Sequence, residues 1–491
     1  MRNFNLPRRQ FVLGSLAGAA GLAARGAGAA GEQRDVMVLG AGLAGLYATM
    51  VLRDTGLNVL LLEASARPGG RVHTVETVDG QIEMGASQVG PGYARVRDVA
   101  RKLDLPLAPG AHLYAPYAFV VDNQLSSAAD WPDSPANKLR GAERERLPHT
   151  LRAMYLEERS PFTTIDGWLQ PDAAQYDVSL FEWLRREGAS DEAIRLIDSG
   201  LVDPGVLGVS TLTLLQESGR SMLEMKKLLE QPGSENMDVY QLFGQASSHF
   251  EGGMKRLPFG MAAALGDHVR FGMPVAAIDM DATGVDVRCS GGERFRAKAV
   301  ISAMPFTTLR RVAINPAPPG AQGLAIKTMP YGRQSQVWLR VKKEPYWEVD
   351  GLDASMWSNG DITLMRQEFG YDGSRELVSA LAIGRHATAL DNLAPADRGQ
   401  FVLDYMARIR PSTQGRLEVV LAQSWQQEPY VAGVRHSYAP GQAARFMHAM
   451  IAPHQRLHFA GEHTRRLEVG MESAMESGER AALEVLERLA G

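Results

Sequence analysis

Residues 38–45, with the sequence Val-Leu-Gly-Ala-Gly-Leu-Ala-Gly, constrain the fold of this chain more than any other segment. The order of residue types predicts a strand, a glycine turn and the first turn of a helix. Gly40 allows the sharp turn, Gly42 lets the backbone approach a pyrophosphate, and Gly45 lets the helix pack closely on the strand. Ala44 lies in the first helical turn, where unpaired N–H groups attract phosphate. The segment therefore predicts a dinucleotide-binding unit.

An acidic residue follows at the distance that such a unit requires. The apolar strand Val59–Leu62 leads to Glu63, which lies 18 residues after the third glycine. This spacing is close to the roughly 20 residues expected of a carboxylate that accepts hydrogen bonds from a ribose. Arg67, Gly70 and Arg71 come next, and a nicotinamide-binding unit has no need of them. These additional residues indicate a different dinucleotide.

The pattern Glu-x-x-x-Arg-x-Gly-Gly-Arg at residues 63–71 resembles the signature of the flavin-containing amine oxidases, the family of monoamine and polyamine oxidases. Later segments resemble the same family in the same order, over nearly all of the chain after residue 30. They are Gly252-Gly253-Met254 with Leu257-Pro258, the strand that begins at Val275, and residues 425–433, 459–464 and 471–482. The resemblance implies FAD as the cofactor.

The same resemblance implies which further residues bind FAD. The expected contacts are Gly85, Ala86 and Ser87, Val275 at the adenine end, Gly461 and Glu462 at the ribityl–phosphate end, and Met471 beside the isoalloxazine. Val434 stands where monoamine oxidases carry the cysteine that attaches the flavin. The FAD is therefore expected to be bound non-covalently.

The expected fold class is α/β, with a Rossmann-like FAD-binding domain and a discontinuous α+β substrate domain. This is the amine oxidase and glutathione reductase type of architecture. The resemblance divides the FAD-binding domain into segments 33–112, 246–312 and 450–491. The substrate domain is expected to comprise a helical segment 113–245 and a mixed segment 313–449.

The first thirty residues have the composition of a targeting segment. Arg8 and Arg9 precede an apolar run of small residues, and Ala27-Gly28-Ala29 resembles a cleavage site. This order predicts a twin-arginine signal peptide over residues 1–30. The twin-arginine route exports folded proteins, which suits an enzyme that must acquire its flavin in the cytoplasm. The expectation is a bacterial protein located in the periplasm or secreted.

Composition limits the classes of partner. A net charge of −4 gives no indication of binding to nucleic acid or to an anionic membrane. After residue 30 no stretch is apolar enough to predict a membrane span. The single cysteine, Cys289, cannot form an internal disulfide, and the histidines are not at zinc spacing, so no metal site is expected.

The resemblance implies oxidation of a small-molecule amine, whose α-hydrogen passes as a hydride to flavin N5. The resulting imine hydrolyses to an aldehyde or ketone. Many members of the family hold a water near N5 with a lysine, and Gln336 takes that position here. Because Gln336 brings no charge, the electron acceptor is either O2 or a periplasmic redox protein such as a cytochrome. Gln88 stands where amino-acid oxidases of the family carry an arginine, which argues against an α-amino acid.

The candidate catalytic residues besides Gln336 are Trp425, Arg435 and Gly470. Arg435 and Gly470 occupy the two positions that hold an aromatic cage in monoamine oxidases, so a wider pocket is expected. Trp425, Tyr430 and Tyr438 either form the wall of this pocket or belong to the core. Arg435 either binds an acid group of the substrate or forms a surface salt bridge.

The sequence leaves two other functions open. One is a carbon–carbon desaturase or oxidase of the same fold, and the other is a non-catalytic FAD-binding protein that acts as a redox partner. The sequence leaves the identity of the amine open, and it leaves the oligomeric state open between a monomer and a homodimer.

Overall fold

The computed structural model describes residues 33–77, 80–110, 116–202, 204–237, 239–342, 344–368 and 376–490. The predicted signal peptide, residues 1–30, lies outside these ranges.

The strands within these ranges are β1 Arg34–Leu39, β2 Val59–Leu62, β3 Thr74–Thr77, β4 Gly80–Glu83, β5 Leu107–Pro109, β6 Tyr117–Val121, β7 Gln124–Ser126, β8 Ser248–Phe250, β9 Val269–Arg270, β10 Val275–Met280, β11 Val285–Cys289, β12 Arg294–Ser302, β13 Ala313–Asn315, β14 Gln334–Val341, β15 Ser355–Ser358, β16 Leu364–Glu368, β17 Leu377–Ile383, β18 Leu417–Ser424 and β19 Leu457–Phe459.

The α-helices are α1 Leu43–Asp54, α2 Ala94–Lys102, α3 Leu151–Leu156, α4 Leu180–Arg186, α5 Asp191–Ser199, α6 Thr211–Leu229, α7 Val239–Ala246, α8 Arg256–Leu265, α9 Phe306–Leu309, α10 Gly320–Thr328, α11 Tyr346–Asp350, α12 Arg385–Asp391, α13 Arg398–Ile409, α14 Gln442–Phe446 and α15 Gly470–Ala490.

The first sheet is built from segments that are far apart in the sequence. Its strand order is β13-β10-β11-β12-β1-β2-β9, and β19 pairs with β12. β1 lies parallel to both β2 and β12, and β12 is also parallel to β19. β11 pairs antiparallel with β10 and β12, so the sheet is mixed. Its parallel part, with helices on both faces, is the expected Rossmann-like arrangement, which the structure confirms.

The two faces of this sheet follow from the alternation of side chains along its strands. Val36 and Val38 of β1 belong to a core that includes α1, α8 and α15. Met37 and Leu39 point to the opposite face and join a second core. Burial on both faces explains the continuous apolar sequences of β1 and β2.

Elements close to the predicted boundaries of the second substrate segment, 313 and 449, contact the first sheet. β13 pairs with β10 and so belongs to the first sheet. Ile326 of α10 and Phe446 of α14 pack in the core beneath that sheet. The segment therefore begins and ends on the FAD-binding side, because these apolar side chains cover the lower face of the first sheet.

The second sheet has the strand order β18-β14-β17-β16-β15-β6-β7. Val337 and Leu339 of β14, with Ala380 of β17, pack against α12 and α13 on one face. By alternation, the neighbouring residues of these strands point to the opposite face, toward the first domain. This opposite face is available to cover a site that begins on the first sheet.

The structure confirms the fold class and sets the limits of individual elements. The strand predicted at Val59–Leu62 is β2, and the strand predicted to begin at Val275 is β10. Among the described residues, no helix is both long and apolar enough to cross a bilayer.

The contact between α1 and α15 allows a direct test of the packing. A Cβ added at Gly478 of α15 would lie 2.3 Å from the carbonyl oxygen of Ala44, whereas one at Gly219 of α6 would meet nothing within 4 Å. Alanine is favoured over glycine in a helix by about 1 kcal/mol. We expect Gly478→Ala to lower the midpoint of thermal unfolding, since overpacking costs about 1–3 kcal/mol. The matched control Gly219→Ala should leave the midpoint unchanged or raise it, and equal midpoints for the two variants would contradict the packing argument.

Candidate active site

One continuous cavity of about 690 Å³ lies between the two sheets. Its walls come from the start of α1, the loop after β2, residues 84–87, the start of α15 and strands of the second sheet. The sequence-predicted residues that line it are Gly40, Gly42, Ala44, Glu63, Arg67, Gly70, Arg71, Gly85, Ala86, Ser87, Val275, Trp425, Arg435, Gly461, Glu462, Gly470 and Met471. Gly45 and Gln336 are the predicted site residues that do not line it.

The N-terminus of α1 has the form of an anion-binding site. Gly40 adopts φ +104°, which favours glycine, and a Cβ at Gly42 would point into open space. No side chain caps the helix at Gly42, and its first turn holds no acidic residue. A Cβ at Gly45 would lie 2.0 Å from the Gly40 carbonyl oxygen, so Gly45 serves packing only. The uncapped N–H groups of the first turn suit a pyrophosphate.

The carboxylate of Glu63 is held at the end of β2. Its Oε2 accepts a hydrogen bond from the backbone N–H of Ala41 at 2.6 Å, and its Oε1 accepts from the backbone and hydroxyl of Ser65, both at 2.8 Å. These bonds fix the carboxylate at the wall of the cavity, where it is placed to accept from a ribose hydroxyl.

The two predicted arginines brace the loop that follows. Arg67 donates from Nη2 to the carbonyl of Gly70 at 3.1 Å, and Arg71 donates from Nη1 to the carbonyl of Val434 at 2.6 Å. A Cβ at Gly85 would lie 1.8 Å from the carbonyl oxygen of Arg71. Only glycine therefore allows residues 84–87 to lie so close to this loop.

Gln336 is buried and does not line the cavity. It is 2% exposed, and its Nε2 donates to the carbonyl oxygen of Met84 at 2.9 Å. Trp425 donates from Nε1 to the same carbonyl at 3.0 Å. The amide of Gln336 thus supports the backbone that leads to residues 85–87, and its role in holding a water near the flavin stays a prediction. Gln334, two residues earlier on the same face of β14, lines the cavity in its place.

The buried charge cluster, formed by Glu217, Arg435, Arg465, Glu462 and His436, adjoins the cavity. Arg465 and His436 are buried, whereas Glu217, Arg435 and Glu462 are half-buried. Glu217 on α6 accepts from Arg435 at 2.8 Å and from Arg465 at 2.7 Å. Glu462 lies 3.4 Å from Arg465 and 3.1 Å from Nδ1 of His436. Arg435 therefore forms a salt bridge within the substrate domain at the cavity wall, and the pair of Glu217 with Arg465 joins this domain to the FAD-binding domain.

The electrostatics of this cluster favour the ionised carboxylates. Burial would raise the pKa of Glu217, but Arg435 and Arg465 outweigh it and lower the pKa to about 2. Burial likewise opposes ionisation of Glu462, yet the nearby His436 and arginines hold its pKa well below the ordinary value. By contrast, burial holds the pKa of His463 well below its ordinary value, so this imidazole is neutral.

The positions of the aromatic candidates separate wall from core. Trp425 and Tyr430 line the cavity, whereas Tyr438 is buried beneath the first sheet and donates its hydroxyl to the sulfur of Met450. Gly470 adopts φ +61°, and a Cβ there would lie 2.6 Å from the hydroxyl oxygen of Tyr93. The side chain of Tyr93 therefore occupies the space beside Gly470.

Several cavity residues were not identified from the sequence. They include the polar and charged residues Glu217, Ser221, Gln334, Arg366 and Arg465. Glu217 and Ser221 share one face of α6, at the i and i+4 positions, but nothing in the local sequence distinguishes this face from an ordinary packed helix. The alternation of side chains along β16 predicts that Arg366 and Leu364 share one face of the strand. It does not tell which of the two faces meets the cavity.

Cysteine attachment of a flavin is ruled out by the sequence and the geometry together. The only cysteine, Cys289, lies buried in β11 and does not line the cavity. The glycine turn, the ribose-binding carboxylate and the uncapped helix define a dinucleotide-binding flavoprotein with a second sheet covering its cofactor site.

Residues 43–486 match the sequence profile of the family described as flavin containing amine oxidoreductase, and the chain belongs to this family. It is an amine-oxidising enzyme with non-covalently bound FAD. An amine oxidase [flavin-containing] of Danio rerio is 26% identical over 461 residues, which cover 92% of this chain and 85% of that protein. An amine oxidase [flavin-containing] B of Sus scrofa is 27% identical over 470 residues, covering 92% and 86%.

Solved structures show the same fold. Putrescine oxidase bound to putrescine superposes with a TM-score of 0.74 at 22% identity, covering 93% of this chain and 100% of that one. Cyclohexylamine oxidase from Brevibacterium oxydans gives a TM-score of 0.75 at 22% identity, covering 94% and 100%.

The salt bridges of Glu217 predict a specific dependence of stability on pH. A carboxyl whose pKa falls from 4.5 to about 2 on folding stabilises the native state above pH 4.5, and this contribution is lost as pH falls toward 2. We expect Glu217→Gln to lower the free energy of unfolding at neutral pH by about 2–4 kcal/mol. The difference between variant and wild type, measured by denaturant unfolding, should shrink between pH 4.5 and pH 2.

Glu182→Gln is the matched control, because Glu182 pairs with Arg186 on the surface and is 48% exposed. Its loss should cost less than about 1 kcal/mol. A Glu217→Gln variant as stable as this control would contradict the assigned role of the buried charge cluster.

Proposed function

We propose that this enzyme removes a hydride from the carbon next to the nitrogen of a primary or secondary amine, giving an imine that water hydrolyses to an aldehyde or ketone. The observation that carries the proposal is the continuous cavity in which the cofactor-binding residues of the first domain face the side chains of the second sheet. When bound, the flavin supplies the hydride acceptor, N5.

The residues of this chain bind and orient the reactants. The first turn of α1 would hold the pyrophosphate, and Glu63 would accept from the ribose. Trp425 and Gln336 fix the Met84 carbonyl, and with it the backbone that leads into the cofactor-lining residues 85–87. Orientation and exclusion of water account for large rate enhancements in such sites, so no protein nucleophile is required.

The second sheet closes the substrate side of the cavity. Gln334, Arg366 and Leu381 line it from β14, β16 and β17. Their strands are hydrogen-bonded neighbours, and the opposite face of the sheet is covered by α12 and α13. The cavity-facing side of the second sheet, which forms the substrate roof, is therefore held in place by the helices packed on its other side. This arrangement keeps bulk water away from the reacting carbon.

The electron acceptor is proposed to be O2 or a periplasmic redox protein. Gln336 carries no charge, and its amide donates to the carbonyl of Met84. Both facts support a slow reaction of the reduced flavin with oxygen, and therefore a protein acceptor.

The test adds amines to the yellow purified protein under anaerobic conditions and then admits oxygen. An amine substrate should bleach the flavin absorbance in the first step. Rapid return of the colour with peroxide identifies an oxidase, and slow return identifies a dehydrogenase. The proposal fails if no amine bleaches the flavin, or if only a polyene or porphyrinogen does so.

We further propose that residues 1–30 direct the folded holoenzyme to the periplasm. The support is the order of Arg8-Arg9, an apolar run and Ala27-Gly28-Ala29. Expression in a bacterial host should give a protein whose mass corresponds to an N-terminus near residue 30. Replacing both arginines by lysine should retain the uncleaved chain in the cytoplasm, and full-length protein in the periplasmic fraction would contradict the proposed cleavage.

A further inference from the structure

The acids that line the described cavity all have protein partners. Glu63 is held by Ala41 and Ser65, while Glu217 and Glu462 belong to the buried charge cluster. Glu428 lies in the field of Arg67. A second ammonium group on a substrate would therefore have to compete with an existing partner for any of these acids.

The arginines that line the cavity differ in how fully their guanidinium groups are paired with protein acceptors. Arg435 and Arg465 are bound to Glu217, and Arg71 is bound to Val434 and Glu462. Arg67 donates to the carbonyl of Gly70. Arg366 differs from these four lining arginines in its terminal nitrogens, whose one contact among the described residues is a long ion pair of 3.5 Å from Nη2 to Glu368. Its Nε is buried without a hydrogen-bond partner, as are those of Arg435 and Arg465.

Glu368 is a weak partner for this guanidinium. It accepts a hydrogen bond from the hydroxyl of Ser379, and burial raises its pKa above the ordinary value although Arg366 opposes this. A carboxylate that ionises reluctantly neutralises a neighbouring cation poorly. The positive charge of Arg366 therefore remains available to the cavity.

The strand geometry explains why Arg366 points into the cavity. Met365 packs in the core beneath α12 and α13, so Leu364 and Arg366 project from the opposite face of β16. Leu364 is paired with Leu381, which lines the cavity, and Arg366 lies roughly 7 Å further along the same face. The side chain of Arg366 is 27% exposed, and its exposed part faces the cavity.

From these contacts we infer that Arg366 binds a carboxylate of the substrate, so that the amine oxidised by this enzyme also carries an acid group. The inference rests on the proposed amine oxidation and names its substrate class. A guanidinium presents paired donors that match a carboxylate, and such charge-assisted bonds are about twice as strong as neutral ones. The same charge disfavours diamines, which would bring a second cation to Arg366.

The test compares substrates that differ only at the end remote from the amine. Each amino acid in the panel is matched with the alkylamine in which a methyl group replaces the carboxylate, and with the corresponding diamine. The wild type should show the highest kcat/KM for an amino acid and the lowest for a diamine. Arg366→Gln should lower kcat/KM for the amino acid by about 10- to 100-fold. The value for the matched alkylamine should change by less than about twofold, since it makes no contact with the guanidinium.

Two further variants separate recognition from structural support. Arg366→Lys keeps the charge and should restore part of the preference for the amino acid. The control is Arg340→Gln. Arg340 lies near the end of β14 in the same sheet, pairs with Glu418 and does not line the cavity, so this variant should leave the preference unchanged. Equal losses for all substrates in Arg366→Gln, with no rescue by lysine, would overturn the inference and leave Arg366 as a partner of Glu368 only.

A binding measurement distinguishes this failure from failure of the proposed function. Butanoate, which has no amine to oxidise, should perturb the absorbance of the oxidised flavin with saturation. Arg366→Gln should weaken this binding by about tenfold or more. If no amine reduces the flavin but butanoate still binds through Arg366, the proposed reaction is wrong and the carboxylate site stands. If amines reduce the flavin without any preference for a carboxylate and butanoate does not bind, the reaction stands and the site is wrong.

Discussion

The close contact of α1 with α15 is the constraint on which the rest of the molecule depends. Ala44 in α1 and Gly478 in α15 approach so closely that no side chain fits between them. This contact brings the last segment of the chain against the first, and the parallel pairing of β19 with β12 continues it in the sheet. Both helices begin at the same cavity, so the two ends of the cofactor site are fixed by one packing interaction.

The two domains are held together by charge rather than by apolar packing alone. Glu217 belongs to α6, and its partner Arg465 follows β19, at a sequence separation of 248 residues. Ionised groups in such a place are costly unless they are fully paired, so an incorrect relative position of the domains would leave an uncompensated charge. The cluster therefore favours one arrangement of the two domains, and that arrangement fixes the shape of the substrate cavity.

The cofactor side of the site could be predicted from the sequence because its physics is local. A glycine turn, an uncapped helix and a carboxylate at the end of a strand are formed by residues 38–71, and their spacing alone defines the geometry. The substrate side depends on pairs such as Arg435 with Glu217, which are 218 residues apart. No local pattern indicates such a pair, and without it Arg435 could equally be assigned to a substrate.

The surroundings of Gln336 could not be predicted for a similar reason. Gln334 and Gln336 share one face of β14, and the sequence gives no reason to prefer either. Only the approach of Met84 to that face decides that the second glutamine is covered and the first remains exposed to the cavity. In the same way, the apolar patterns of α10 and α14 show that these helices are packed, but not which of the two sheets they cover.

The shared hydrogen bonds at Met84 have a consequence for how the protein responds to its cofactor. Trp425 and Gln336 both belong to the second domain, and the carbonyl that they hold precedes the cofactor-lining residues 85–87. Any ligand that orders this backbone stabilises both bonds, and with them the edge of the second sheet. Cofactor occupancy and the rigidity of the second sheet are thus linked, so that binding on one side of the cavity stabilises the wall on the other.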